Sequence, residues 1–374
     1  MFSQKRFPAY FSLALARQFI LLAVMLLAMG QLSADELVMQ DGSRLIGEVV
    51  KRKGGLLEFK TTYAGVIQVQ WDQVREIHGE KPMSLLLEDE RSITAKHLVN
   101  STDGIILYDD IEPDLSQPSL AQEELVAINP EPWRIGEGYK LDGHVNFALK
   151  KERGNTDKDE IDVDGDVNWR YRDHRLRIFG TLENDRNDNK KTKDKWRLNN
   201  SYDYFLTKKW FAGAFLGLEH DKFADLDLRT IVGPLMGYQW FEGDKLNLST
   251  QLGPMYVDEK FDSNPDDNYW ALGWHINFDI YLLKEIMQFY HRQGAVWSME
   301  DTNNLVWDAW TGLRFPLVWG FVASTEIQTE LDTASARGKT NLDTTYRLKL
   351  GYQWYSGEGA GSGGSLSPTL AISA

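Results

Sequence analysis

The feature that most constrains the fold of this chain is a period-two alternation of apolar and polar residues between about residues 135 and 355. In NYWALGWHINFDIY, residues 268–281, every second residue is apolar, from Trp270 through Trp274 to Ile280. A β-strand places the two sets on opposite faces, whereas a helix would mix them. The pattern recurs in IDVDGDVNWRY, FVASTEIQTEL and NLDTTYRLKLGYQW. This part of the chain is therefore predicted to consist of β-strands.

Alternation alone fits both a soluble sandwich, whose apolar face forms the core, and a membrane barrel, whose apolar face meets lipid. Three features favour the barrel. All of the 13 tryptophans except Trp71 lie from Trp133 to Trp354, and aromatic residues concentrate near the ends of apolar faces, as in membrane girdles. The apolar segments run to about 10–14 residues, the length of a tilted spanning strand. Long polar connections alternate with short ones along the chain.

Twelve strands are predicted, beginning near residues 139, 159, 174, 195, 210, 226, 245, 268, 286, 303, 319 and 340. The connections KKERGNTDKDE and NDRNDNKKTKDK are long, whereas those at Asp173 and TKK are tight. An even strand number with this loop pattern is typical of a bacterial outer-membrane barrel with both ends in the periplasm. The predicted fold is thus all-β, an antiparallel transmembrane barrel of about 12 strands over residues 139–355, preceded by a small duplicated SH3-like β module.

The predicted module covers residues 35–130 and consists of two copies, about 35–80 and 83–130. LLLEDERSITAKHLV aligns with LVMQDGSRLIGEVV at an offset of 48, which matches Asp41 to Asp89. Each copy is small for a core of its own, so we expect two packed SH3-like or Sm-like barrels that serve as a spacer or docking module. Residues 131–138 are predicted to form a linker, and 356–374 a Gly/Ser-rich tail.

The N-terminal residues are typical of a secretory signal peptide, predicted over residues 1–34. Lys5 and Arg6 precede an apolar run, FILLAVMLLAM, and small residues end at Ala34. The alternative, an uncleaved anchor, would need roughly 20 apolar residues. The chain would then be exported to the outer membrane of a Gram-negative bacterium, with its module in the periplasm.

Composition excludes several classes of function. The formal charge of -14 argues against a nucleic-acid partner, and the absence of cysteine excludes disulfides, thiolate nucleophiles and zinc-thiolate sites. No histidine spacing matches a metal motif and no GxSxG motif is present, so we expect no cofactor, no metal site and no enzymatic activity. A membrane-embedded hydrolase using His144 or His275 is a remote alternative.

Two sets of residues follow from the alternation. The candidates for the barrel lumen are Asp162, Asp164, Asp166, Arg170, Arg197, Asp203, Arg229, His275, Asp279, Asp308, Arg314, Glu326, Glu330, Arg347 and Lys349. The candidates for the lipid-facing girdles are Trp169, Trp196, Trp240, Trp270, Trp274, Trp307, Tyr346, Tyr352 and Trp354. The lumen charges could select ions or small solutes, or they could pair across the lumen and fill it.

The stretches ERGNTDKDEIDVDGDVNWRYR, SYDYFLTKKWFAGAFLGLEHDKFADLDLRTIVGPLMGYQWFE and LGPMYVDEK resemble the salt-induced outer-membrane proteins, the YdiY-like family with an uncharacterised β-barrel domain. The resemblance covers about residues 138–355, and DGSRLIGEVV with YAGVIQVQWDQV is similar to the β module that often precedes this barrel. It implies a link to salt or osmotic stress and no catalytic residues. One departure is that the strand ending in KLGYQWY stops at Tyr355 and is followed by the tail, whereas outer-membrane barrels usually end on an aromatic residue.

Two functions are therefore open: solute permeability or envelope stress, and a non-conducting structural or docking barrel whose module binds a partner. Expected partners are outer-membrane lipid, lipopolysaccharide, the barrel-assembly machinery and an envelope protein in the periplasm.

Overall fold

A computed structural model describes residues 34–109, 119–152, 157–188, 190–243, 245–283, 286–333 and 342–359. The predicted signal peptide, except for its last residue, and the tail from residue 360 onward lie outside these ranges. Within them, no helix combines the length and the apolar character needed to cross a membrane. The chain divides into two compact units, 1–130 and 131–374, and each is described by itself.

The first unit is an antiparallel β-structure. Its strands are β1 Asp35–Met39, β2 Arg44–Lys53, β3 Leu56–Thr61, β4 Gly65–Gln70, β5 Val74–Leu87, β6 Ser92–Ser101, β7 Gly104–Tyr108 and β8 Leu125–Ile128. They are ordered β4-β3-β2-β1-β5-β6-β7, and β8 pairs with β2 and β5. Trp71–Gln73 forms a short 3-10 turn between β4 and β5.

This sheet differs from the two packed barrels expected at 35–80 and 83–130. Strand β5 runs without interruption through the expected boundary, and one apolar cluster contains buried residues of both halves, among them Leu37, Phe59, Leu98 and Ile128. The physical reason is that neither half buries enough apolar surface alone, so the halves share one core.

The second unit is a closed antiparallel barrel. It begins with helix α1 Pro132–Ile135 and continues with β9 Gly138–Glu152, β10 Lys158–Tyr171, β11 His174–Asn187, β12 Lys190–Phe205, β13 Trp210–Asp221, β14 Leu226–Glu242, β15 Leu246–Phe261, β16 Asp267–Leu282, β17 Met287–Ser298, β18 Leu305–Pro316, β19 Phe321–Asp332 and β20 Leu342–Gly359. Each strand pairs with the next, and β20 pairs with β9 to close the ring. The prediction of a 12-stranded barrel is confirmed, and eleven strands begin within two residues of the predicted positions.

The fourth barrel strand is the exception, because β12 begins at Lys190 rather than near 195. The polar segment NDRNDNKKTKDK is therefore mostly a hairpin and not a long loop. Strand β11 extends to Asn187, and Asp188 supplies the positive φ, 47°, of the turn. Polar residues can form strands here because the hairpin lies at one end of the barrel, where both faces of the strands are polar and neither has to be apolar.

Two further boundaries differ from expectation. Strand β20 continues past Tyr355 to Gly359, which pairs with Gly138 at the start of β9. The predicted linker 131–138 contains helix α1, whose Trp133 is 7% exposed because it packs against the barrel's own residues. We call the end of the barrel that carries Gly138 and Gly359 the near end and the opposite end the far end.

The barrel is apolar outside and polar inside. On β20, Tyr346 and Leu348 are 76% and 79% exposed, whereas Arg347 and Lys349 are 7% and 6% exposed. A water-soluble protein has the opposite arrangement, because exposed apolar surface of this extent is unfavourable in water. The wall therefore has the polarity of a transmembrane barrel in lipid.

Candidate functional site in the barrel lumen

The inner face of the barrel carries every predicted lumen residue. Most are buried, with Asp203 at 0%, Arg314 at 3% and Glu326 at 5% exposure. Asp279, which is half-buried, accepts a hydrogen bond from Gln288 Nε2 at 3.4 Å. The structure thus brings these charges together inside one closed wall, and their pairing decides whether the lumen is open.

A cluster at the far end, the far cluster, consists of Lys195, Arg197, Glu219, Arg229, Glu259, Asp308, Glu330 and Asp332. Its central contact joins Arg197 Nη2 on β12 to Asp308 Oδ1 on β18 at 3.1 Å, and the same nitrogen lies 2.7 Å from Glu219 Oε1. Lys195 Nζ lies 2.7 Å from Glu330 Oε1 on β19. The contacts with Asp308 and Glu330 cross the lumen, whereas Glu219 is on β13, the strand next to β12.

Arg229 is the second centre of the far cluster. Its guanidinium contacts Glu259 at 2.5 Å, Glu219 at 3.1 Å and Asp332 at 3.1 Å. Glu259 and Glu219 are on the strands beside β14, whereas Asp332 is on β19 across the lumen. Arg229 therefore links β14 to three other strands and neutralises the carboxylates that they carry.

A second group of charges lies along β20 and its neighbours. Arg347 contacts Asp162 at 2.9 Å and Glu183 at 2.8 Å, and Glu183 also pairs with Lys193. Lys349 Nζ lies 2.6 Å from Asp164 Oδ2 and 2.5 Å from Glu326 Oε1. Each buried cation of this group thus has two carboxylate partners.

His144 lies at mid-barrel among charged residues. Its Nδ1 contacts Asp166, and its Nε2 lies 3.2 Å from Arg314 Nη2. Arg292 on β17 reaches the same Asp166 at 3.0 Å. The described residues therefore give His144 an ion-pair environment, not the serine partner of a hydrolase, and the Nδ1 of His275 has no hydrogen-bond partner among them.

Asp203 is the acceptor for a pair of arginines closer to the near end. Arg175 Nε donates to its Oδ2 at 2.8 Å and Arg177 Nη2 at 3.0 Å. Gln251 Nε2 donates to Oδ1 at 2.8 Å. With 0% exposure, this carboxylate is fully enclosed by its donors.

A stack of guanidinium groups and aromatic rings lies at the near end. Arg170 lies 5.1 Å from the Trp133 ring centre and 3.7 Å from that of Phe205. Arg175 lies 4.9 Å from Phe205 and 4.5 Å from Phe211. Helix α1 thus supplies the outermost ring of an alternating cation–π stack that fills this side of the near mouth.

The predicted girdle residues all lie on the outer face but not all at its rims. Trp240, Trp270 and Tyr346 are 51%, 53% and 76% exposed, and the others are half-buried. Near the near end lie Trp169, Trp240, Tyr352 and Trp354, and toward the far end lie Trp196, Trp270, Trp307 and Tyr346. Trp274 lies in the middle of β16, and its Nε1 and that of Trp307 both lie 3.0 Å from the Gln293 side-chain amide.

Several lumen charges were missing from the predicted set, among them Lys195, Glu219, Glu259, Arg292 and Asp332. The signal that finds them is the alternation itself, followed along the whole of each strand to its true ends. Lys195, for example, is two residues before Arg197 on the same face of β12, but it falls in the segment that was assigned to a loop.

Comparison with known proteins gives one matching family and several similar solved structures. The family described as "Protein of unknown function, DUF481" matches residues 145–354. No curated protein matches the chain. Among solved structures, the chain is similar to the NanC porin (11% identity, 58% of this chain and 99% of that chain, TM-score 0.36). It is also similar to the outer membrane channel DcaP of Acinetobacter baumannii (11% identity, 58% of this chain and 96% of that chain, TM-score 0.29). A further similar structure is the translocator domain of the autotransporter NalP from Neisseria meningitidis (10% identity, 58% of this chain and 88% of that chain, TM-score 0.30).

Proposed function

This chain belongs to the DUF481 family of proteins of unknown function, and from that premise we propose that it is an outer-membrane β-barrel protein whose lumen is closed by ion pairs in the resting state. The observation that carries the proposal is the contact between Arg197 and Asp308 at 3.1 Å. Their strands, β12 and β18, are six positions apart in a ring of twelve and therefore lie opposite each other. A side-chain contact across the full width of the lumen divides it at that depth and narrows any path.

Other contacts also cross the lumen, one in the far cluster and one near mid-barrel. Arg229 and Asp332 join β14 to β19 at 3.1 Å, and Arg292 and Asp166 join β17 to β10 at 3.0 Å. In each case the strands are five positions apart around the ring. The sequence left two roles open for the lumen charges: a lining that selects solutes, or a network of ion pairs that fills the barrel. The pairing across the lumen supports the network.

A closed barrel does not conduct solutes, so its role in the envelope would be to hold a partner protein in place. We assign the docking role to the unit over residues 34–109 and 119–130, with an envelope protein in the periplasm as its partner. The even strand number places both termini of the barrel at the near end, so the preceding residues also leave from that side. The far-end hairpins would then face the lipopolysaccharide, and a link to salt or osmotic stress would act through the docked partner.

Solute permeability is the second candidate, because a cavity of about 120 Å³ remains inside the lumen. Passage would require the far cluster and the near-end stack to separate. The far cluster and the near-end stack are both formed by side chains and not by the backbone of the wall. A rearrangement of Arg197 and Arg170 could therefore open a path without changing the strand pairing.

Single-channel recording separates the two candidates. We expect the mature chain, residues 35–374, refolded and inserted into planar bilayers, to show heat-modifiable migration but no conductance steps. The combined Arg197→Ser, Arg229→Ser and Arg292→Ser variant should show discrete steps, because it removes the cations that cross the lumen. Lys208→Ser and Lys209→Ser, in the exposed turn between β12 and β13, form the control and should stay silent. Salt-dependent steps in the unchanged chain would contradict the closed barrel and favour permeability.

A further inference from the structure

The lumen contains a cavity that the ion-pair network does not fill. Its volume is about 120 Å³, and its lining comes from β11 to β18. Apolar side chains make up most of the wall, namely those of Phe179, Phe215, Ile231, Val296, Val306 and Trp310. An apolar cavity of on the order of 150 Å³ accommodates one benzene ring. The space is therefore close to the size of a single six-membered ring.

Two glycines of the inner face help to create the space. Gly217 on β13 and Gly294 on β17 both line the cavity. A Cβ at Gly217 would lie 2.9 Å from Phe215 Cε1, and one at Gly294 would lie 3.2 Å from His275 Cδ2. Any larger residue would push these rings, so the glycines keep the aromatic walls in their positions.

The polar groups that remain free at the cavity are uncharged amides and the Nδ1 of His275. Asn199 on β12 and Asn277 on β16 line it, and neither side chain hydrogen-bonds to another of the described residues. The charged residues nearby are already occupied. Arg177 has Asp203 at 3.0 Å, and Arg197 and Arg292 have their carboxylates across the lumen. A ligand would thus meet an aromatic wall, amide donors and acceptors, and no uncompensated charge.

We propose that this cavity binds a small neutral aromatic molecule of one ring with one hydroxyl or amino group, of the size of phenol. The ring packs against the wall formed by Phe179, Phe215 and Trp310, in which Phe179 and Trp310 meet edge to face with ring centres 5.1 Å apart. The hydroxyl or amino group pairs with Asn199 or Asn277. Water fits the apolar part of this wall poorly, because an ordered buried water needs roughly two to four polar partners. The site does not depend on whether the barrel conducts.

Fluorine NMR on the refolded mature chain in detergent micelles tests the site, with 4-fluorophenol and fluorobenzene as probes. We expect slow exchange from a site inside the barrel, so that the bound probe gives a signal separate from the micelle signal. We expect 4-fluorophenol to bind about tenfold more tightly than fluorobenzene, the effect of about one hydrogen bond. Asn277→Leu should remove that preference and leave fluorobenzene binding unchanged or tighter.

The controls keep the result decisive. Asn184→Leu makes the same exchange on the outer face of β11, away from the cavity, and should leave both affinities unchanged. If Asn277→Leu fails to show heat-modifiable folding, Asn199→Leu makes the equivalent test from the other side. No bound signal in the unchanged chain would show that the cavity holds water only. Equal binding of both probes, unaffected by either asparagine variant, would show an apolar void without recognition. Either result overturns the proposal.

Discussion

Arg197 and Asp308 face each other across the full width of the barrel, with Arg197 Nη2 3.1 Å from Asp308 Oδ1. Arg197 is 6% exposed, and the same nitrogen also lies 2.7 Å from Glu219. Because one cation neutralises carboxylates on both sides of the lumen, the two halves of the wall are tied together through side chains as well as through strand pairing.

Removing that cation should be costly. We expect Arg197→Leu to lower the free energy of unfolding by about 3–5 kcal/mol, because Asp308 and Glu219 lose a buried partner. Urea titration of the protein in lipid vesicles measures the change. Adding Asp308→Leu should recover part of the loss, since the unpaired carboxylate is removed with its partner. A loss below about 1 kcal/mol, the range of exposed pairs, would show that the contact is solvated and the lumen wet.

The polarity of the outer face gives a prediction that separates lipid from water. Leu348 lies on the outer face near the middle of β20, whereas Leu342 lies at the far end of the same strand. In a bilayer, Leu348→Arg should cost about 2–4 kcal/mol and Leu342→Arg about 0–1 kcal/mol, because the penalty depends on depth. Both are measured by urea titration in vesicles. If the same wall stood in water, both positions would be solvent-exposed, so two equally small effects would contradict the membrane barrel.

The strands and their two faces could be predicted from the sequence because they are local properties. In β16, residues 270 to 280 show the alternation directly, and the structure places their apolar set outside. The partners across the lumen could not be predicted this way. Whether Arg197 meets Asp308 or another acid depends on the stagger of the closed ring, which no local pattern records.

The ends of some strands were the other feature that the sequence did not predict. Hairpins that extend a barrel beyond its apolar belt have no apolar face, so their residues are indistinguishable from a loop by alternation, as in NDRNDNKKTKDK. The repeat in residues 35–130 had a similar effect. The alignment of its two halves could not show that Val74–Leu87 forms one strand shared by both.

A close approach between Gly237 and Phe211 gives a third prediction. Phe211 is 0% exposed, and a Cβ on Gly237 would overlap its ring. We expect Gly237→Ala to lower the free energy of unfolding by about 1–3 kcal/mol through overpacking. Phe211→Leu in the same chain should recover part of that loss, because the smaller side chain vacates the space. Additive losses in the double variant, from urea titration, would show that the two residues do not compete.

The first unit should lose stability in mild acid through His97. Burial, followed by the charges of His78 and Lys96, lowers the pKa of His97 below its usual value, although Asp109 opposes the shift. The unfolded chain therefore binds a proton more readily than the folded one. The stabilisation is present above the unfolded pKa of about 6.5 and is lost as the pH falls from there through the folded pKa.

The groups around that imidazole define the control. His78 on β5 and Tyr108 on β7 flank it, with ring centres at 5.6 Å and 5.0 Å, and Glu76 lies 3.1 Å from His78 Nε2. Hydrogen exchange of β6 and β7, corrected for the intrinsic effect of pH, should show weaker protection at pH 5 than at pH 7.5. His97→Gln should reduce that difference. An unchanged difference in the variant would assign the pH effect to another group.

The orientation of the barrel can be tested because the chain contains no cysteine, so a single introduced thiol is the only one. Ser263 is exposed in the connection between β15 and β16 at the far end, and Lys208 is exposed in the turn between β12 and β13 at the near end. In intact cells, a membrane-impermeant maleimide should label Ser263→Cys and should label Lys208→Cys only after the outer membrane is permeabilised. The reason is that the even strand number puts both ends of the barrel at the near end, which faces inward if the first unit is periplasmic as proposed. The reverse pattern would put the first unit on the cell surface, and the docking partner would then have to be sought outside the cell.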